Sequence, residues 1–192
     1  MKYLFLFLIL FFHSSKILGG ENILTELLVA NPYMQDPRFK ETVIVILYHN
    51  QEGAAGLVVN KPIETISVIE LFKSNNMTPP EKIVNKEIML HWGGPVEPEH
   101  IFFIHSSDYK SNDFILSNKD FTITRSPEIL FDIAKNKGPK EYIILSGIAV
   151  WEPGQLDSEM MRGDWDKKLN NYTPLFDNGK EMWSHLISSR DI

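Results

Sequence analysis

The sequence predicts an α+β domain: a mixed, largely antiparallel β-sheet, partly barrel-like, flanked by short α-helices and forming one domain. Three observations predict it. Short apolar stretches alternate irregularly with helical patterns, without a repeat of about 20–50 residues and without a regular strand–helix–strand series. The stretch over 42–49 (Thr-Val-Ile-Val-Ile-Leu-Tyr-His) is apolar at nearly every position, the mark of a central strand buried on both faces. At 192 residues, with 43% hydrophobic and 23% charged side chains, the chain has a globular composition and enough mass for one core without staples.

The elements follow in order. A strand is expected over 25–30, then the buried strand over 42–49. Asn50-Gln51-Glu52-Gly53 supplies turn chemistry, and 56–60 returns as the second arm of a hairpin. Lys61-Pro62 closes that arm. Ser67 and Glu70 have capping-box spacing, and Val68, Leu71 and Phe72 share one face, which predicts a short helix. The polar run 74–86 reads as a surface loop. Strands are expected over 87–92 and 101–104, joined through Gly93-Gly94-Pro95, and another over 121–124 after a polar loop. Ser126-Pro127-Glu128 reads as a helix start, with Ile129, Leu130, Ile133 and Ala134 inward and Gly138 as its end. A strand over 141–145 runs into Trp151. Pro153 then opens a helix that Gly163 ends, and a last helix is expected over 179–187.

The first twenty residues differ from the rest. Met1-Lys2-Tyr3 gives a positive end, 4–12 are uninterruptedly apolar, and Gly19-Gly20 offers small residues, the layout of a secretory signal peptide. A membrane-crossing helix needs about 20 apolar residues, so a permanent span is a poor reading of this run. The expectation is a signal peptide over 1–20, a mature domain over 21–192 and a periplasmic or otherwise exported product. An anchor left by an uncleaved N-terminus is the alternative. With no Cys, thiol catalysis, disulfides and thiolate zinc are excluded. Cutting after Gly20 removes Lys2 and Lys16 and no acid, which leaves 17 of the 19 Lys+Arg against 25 Asp+Glu, a net −8. That balance, with no run of basic residues, argues against nucleic acid as a partner.

Five ordered motifs resemble the bacterial YqgE/AlgH family, from about Leu27 onward. They are Asp36-Pro37-Arg38-Phe39; His49 with Gly56-Leu57-Val58-Val59-Asn60-Lys61-Pro62; Gly93-Gly94-Pro95-Val96; His105-Ser106-Ser107-Asp108-Tyr109; and Trp151-Glu152-Pro153-Gly154-Gln155-Leu156. The chain departs from the family where Gly147-Ile148-Ala149-Val150-Trp151 replaces the usual Gly-Tyr-Ala-Gly-Trp. If the replaced glycine lets something approach the backbone, the site is altered here. The Gly163-Asp164-Trp165 ending resembles a subgroup that begins with export signals. The resemblance implies a small α/β fold and a link to transcriptional regulation of exopolysaccharide, but no activity or cofactor.

The residues themselves carry little chemistry. His105, Ser106 and Asp108 are the types of a hydrolase triad, yet neighbours in sequence seldom converge, and no Gly-x-Ser-x-Gly elbow exists. His91, His100, His105, Glu97 and Glu99 lack metal-ligand spacing, and Asp157, Glu159, Asp164 and Asp166 read as a solvated acidic face. No metal and no cofactor is expected. The proline-glycine turn after Trp151 could offer backbone donors beside an indole, against the simpler reading that Trp151 fills the core. Should a pocket exist, Asn60, Gly93, Gly94, His105, Trp151, Pro153, Gly154 and Gln155 would surround it. The leading expectation is a non-enzymatic exported protein that binds a protein or small ligand. The alternatives are a hydrolase using His105 and a cytosolic regulator of the AlgH type.

Overall fold

The computed structural model describes residues 26–169, 175–176, 179 and 181–188. The signal peptide expected over 1–20, its cut and the start of the mature domain lie outside the described residues. The elements are β1 (Glu26–Ala30), β2 (Val43–Asn50), β3 (Gly53–Val58), β4 (Pro62–Ser67), α1 (Val68–Ser74), β5 (Glu87–Trp92), β6 (Val96–Ser106), β7 (Leu116–Ser117), β8 (Phe121–Thr124), α2 (Glu128–Ala134), β9 (Tyr142–Trp151), α3 (Gln155–Met161), β10 (Trp165–Leu169) and α4 (Met182–Ser188).

The fold is α+β. The main strand order is β10-β1-β2-β3-β9-β6-β8-β7, with β5 also paired to β9 and β4 paired to β5. Every pair is antiparallel except β5 with β9. The path is open, with β10 and β7 at its ends, so the described strands do not complete a barrel.

Strand β9 organises the molecule. It runs beside β6 along one edge; on the other it pairs with β5 through Ile144–Ser146 and with β3 through Ala149–Trp151. The handover falls at Gly147, whose φ is +77°. Before it, Ile143 and Leu145 face the central core; after it, Ile148 and Val150 do. A left-handed glycine thus shifts the two-residue alternation by one position, the effect of a β-bulge. A side chain at Gly147 would begin 2.4 Å from the Gly94 carbonyl oxygen, and one at Gly93 would begin 2.3 Å from that of Gly147. The Gly93-Gly94 turn and Gly147 are therefore one backbone-on-backbone crossing.

Both halves of the sheet turn one face to a shared core of Val45, Leu57, Phe102, Ile104, Ile123 and Leu145, covered in part by Leu175 and Met182. The opposite face is divided. Around β1–β3, Leu28, Ile44, Ala54 and Trp151 pack under Leu156 of α3 and against Trp165. Around β5, β6 and β9, Ile88, Phe103 and Ile144 pack under α1 and α2. Phe72 and Phe131 meet edge-on at 4.9 Å between those helices. Each fully buried side chain of this size contributes about 1.5–3 kcal/mol of hydrophobic stabilisation.

Helix α1 has the expected capping box: the Ser67 hydroxyl accepts from the Glu70 amide, and the Glu70 carboxylate accepts from that of Ser67. Several details differ from the sequence reading: β3 already starts at Gly53, β6 starts at Val96, and β7 lies in the expected polar loop before 121. Pro62 does not end structure but begins β4, as proline can at the first position of an edge strand. Residues 165–169 form β10. Helix α2 has Pro127 at its cap position without a side-chain cap, and it ends at Ala134, two residues before Asn136, which takes φ +58°. The Asn136 amide donates to Ile133 and that of Lys137 to Asp132. Gly138 instead fits against Ile133.

Candidate functional site

The eight candidate pocket residues do not gather in one place: His105 lies at the start of β9, Gly93 and Gly94 at its middle beside Gly147, Trp151, Pro153, Gly154 and Gln155 at its end, and Asn60 on Glu41 and Val43. His105 pairs with Tyr142, at the start of the strand, whereas Trp151, its last residue, pairs with Ala54. Nine residues of strand separate them, about 30 Å at some 3.3 Å per residue.

At the Trp151 end, sequence motifs converge on internal contacts. Trp151 is buried, and its indole N–H donates to Glu159 Oε2 at 2.8 Å. The Trp165 indole donates to the same oxygen at 2.9 Å, and the two rings meet edge-on at 6.2 Å. Gln155 donates to the other Glu159 oxygen, at 2.9 Å, and accepts from the Glu152 amide at 3.0 Å. Phe39, from the Asp-Pro-x-Phe motif, packs on both Trp92 and Trp165. Glu159, read from sequence as part of a solvated acidic face, is the acceptor that makes burial of two indoles possible. The exposed turn beside it is self-bonded: the Gln155 amide donates to Glu152, and those of Gly163 and Asp164 close α3 on Met160 and Glu159. Pro153 and Gly154 lie in this turn, with Gly154 at φ +73°. On its flank His49 Nε2 lies 3.1 Å from Asp157, which is half exposed.

Asn60 is buried and spans two chain segments. Its Oδ1 accepts from the Val43 amide and its Nδ2 donates to the Glu41 carbonyl, both at 2.8 Å. It thereby holds Glu41 in a left-handed conformation at φ +55°. Gly93 and Gly94 are buried in the crossing with Gly147. Val150 stands opposite Ala55 and packs toward the shared core. The bulky residue at the departure from the family pattern thus fills interior space, while the close backbone approach belongs to Gly147, which is retained.

At the other end, His105 is fully buried, with Nδ1 2.9 Å from the Ser106 carbonyl oxygen and its ring edge-on to Tyr109 at 5.3 Å. That carbonyl can only accept, so Nδ1 carries the proton. Its Nε2 is buried without a partner among the described residues. Burial pushes the His105 pKa below its ordinary value, outweighing the Ser106 carbonyl and Asp108. Ser106 Oγ donates to Asp108 and accepts from the Glu141 amide at 3.1 Å. The Ser106 bond is the chief reason that the Asp108 carboxyl sits below its usual range. Tyr109 donates to Asp132 at 2.7 Å. Burial, then Asp132, raises its pKa. Ser106 and Asp108 thus tie a turn to the start of β9, and His105 bonds neither side chain. His91 is also held below its ordinary pKa by burial.

Among the described residues no three His, Asp or Glu side chains gather as a metal site, and no helix is long and apolar enough to cross a membrane. One concave surface lies elsewhere. Pro80, Glu81, Lys82, Ile83 and Val84 face Lys135 and Lys137 across an open groove of about 850 Å³ beside the end of α2. Sequence reasoning missed it, since its two walls are some fifty residues apart.

Comparison with known proteins gives the lineage. A family model described as AlgH-like matches residues 27–192. The chain belongs to the AlgH-like family. It is 39% identical to a UPF0301 protein of Cereibacter sphaeroides over 140 residues, covering 72% of this chain and 75% of the relative. It is 33% identical to one of Photorhabdus laumondii, covering 86% and 92%. The solution structure of the AlgH protein from Pseudomonas aeruginosa superposes with a TM-score of 0.71 at 31% identity, over 86% and 87% of the chains. A Corynebacterium diphtheriae protein shares the fold, with a TM-score of 0.62 at 20% identity. Of the motifs of this chain, Gly93-Gly94 lies at the β9 crossing, Phe39, Trp151 and Gln155 at the indole–carboxylate cluster, Asn60 on the Glu41–Val43 segment, and His105 to Tyr109 at the turn beside the start of β9.

Proposed function

We propose that this AlgH-like protein is exported and acts by binding a protein or small ligand rather than by catalysis. The observation that carries the non-catalytic half is the reach of His105: its unprotonated Nε2 is buried and bonds no hydroxyl among the described residues, while the neighbouring hydroxyl and carboxylate are spent on each other and on Glu141. A general base needs to reach the hydroxyl it activates. Support for export is the charged, apolar and small-residue sequence of 1–20.

Mass spectrometry of the protein isolated from the envelope fraction tests export. The N-terminus is expected to follow Gly19 or Gly20, and an uncut chain confined to the cytoplasm refutes export. A panel of acyl and phosphate esters tests the other half: turnover that disappears in His105→Ala refutes the non-catalytic reading.

A further inference from the structure

The chain as a whole is acidic, with 25 Asp+Glu against 19 Lys+Arg, yet its groove is not. Its lining carries three lysines and one acid, Glu81. Lys82, Lys135 and Lys137 line the groove and are exposed, and none has an ion-pair partner among the described residues. Between the lysines the lining is apolar: Pro80, Ile83, which packs on the helical core, and Val84, which is 44% exposed.

The backbone fixes this shape. The Val84 amide donates to the Ala134 carbonyl at 2.8 Å, so the loop closes onto the last turn of α2. The left-handed Asn136 then turns the chain between Lys135 and Lys137. The carbonyl end of the helix stabilises the ammonium groups around it.

We propose that this groove binds an acidic, partly apolar peptide segment of a partner protein. The proposal rests on the reading that the chain works by binding, and it names the partner's chemistry. Unpaired cations around an exposed aliphatic strip complement a strand that alternates carboxylates with aliphatic side chains. A phosphate polymer fits less well. The lining of the groove holds no Arg, whose planar fork matches phosphate bidentately, and its exposed aliphatic strip offers a phosphate chain nothing.

The test is fluorescence anisotropy on the purified full chain with a short labelled peptide of alternating Asp and Leu. Its Lys–Leu counterpart and inorganic polyphosphate serve as competitors. Saturable binding of the Asp–Leu peptide is expected. It should weaken about tenfold or more in Lys135→Glu/Lys137→Glu and several-fold in Val84→Asp, through lost charge complementarity and lost apolar contact respectively. It should also weaken as salt is raised. Absence of saturable binding, indifference to both variants, or stronger competition by polyphosphate than by unlabelled Asp–Leu peptide overturns the proposal. All three substituted residues are exposed, and unchanged melting of the variants separates lost binding from lost fold. A negative result alongside a processed N-terminus and no His105-dependent turnover removes the groove and leaves the wider reading standing.

Discussion

The Trp151 end of β9 and the groove beside α2 are opposites. The first gathers the motifs that make the chain recognisable, and there Trp151, Trp165, Gln155 and Glu159 spend their polar atoms on one another. The second carries no motif, and its lysines have no ion pair among the described residues. The difference teaches that a dense sequence signature can report a demanding piece of packing, while unpaired surface charge collects where single residues look unremarkable.

The comparison breaks most sharply at the crossing. Gly147→Ala would place a Cβ 2.4 Å from the Gly94 oxygen at a left-handed φ. Backbone strain and overpacking together predict a loss of about 3 kcal/mol or more, read by urea denaturation. A loss below about 1 kcal/mol would show that β9 needs no bulge there.

Next in size is the indole–carboxylate cluster. Glu159→Ala removes the acceptor of both indole N–H groups, with an expected cost of about 2–3 kcal/mol. Trp165→Phe in the same background should cost less than it does alone, because the two residues share one bond; a double-mutant cycle reads the coupling. Additive losses would contradict the shared clamp.

Much of this was legible in the chain, and the misses have physical causes. The Ser67–Glu70 cap, strand 87–92, strand 121–124 and the inward face of α2 follow from local spacing. Strand β4 was hidden because Pro62 usually stops a strand, and at an edge it need not donate. Strand β10 was hidden because Asp166, Lys167 and Lys168 look like loop residues, although such charges suit an edge. Glu159 read as solvated because nothing local ties it to Trp151, eight residues back; two tryptophans flanking one helical acid were the available signal. The groove lysines stand on two segments that only the packing of α2 against residues 80–84 brings together.

Acid supplies a smaller effect. Burial holds His91 and His105 below their ordinary value of 6.5, so both stay neutral when folded and take up protons on unfolding. Their contribution is complete above the unfolded value and declines as pH falls below it, by at most about 1.4 kcal/mol per pH unit for each ring until the folded rings also protonate. Asp36 and Asp108, lowered from 3.8, lose theirs only at stronger acidity. Melting followed from pH 7.5 to 5 should therefore decline, and His105→Leu should flatten the decline. An unchanged slope in that variant would place the effect elsewhere. Smallest of all, Lys135→Glu/Lys137→Glu should shift stability by no more than about 0.5 kcal/mol, as exposed substitutions do. A larger loss would make the groove structural.

The most direct measurement is an amide and indole NMR titration of the labelled chain with the Asp–Leu peptide. The prediction is saturable shifts at residues 80–84 and 135–137, with the Trp151 and Trp165 indole signals unmoved. Shifts at the two indoles with a silent groove would contradict it.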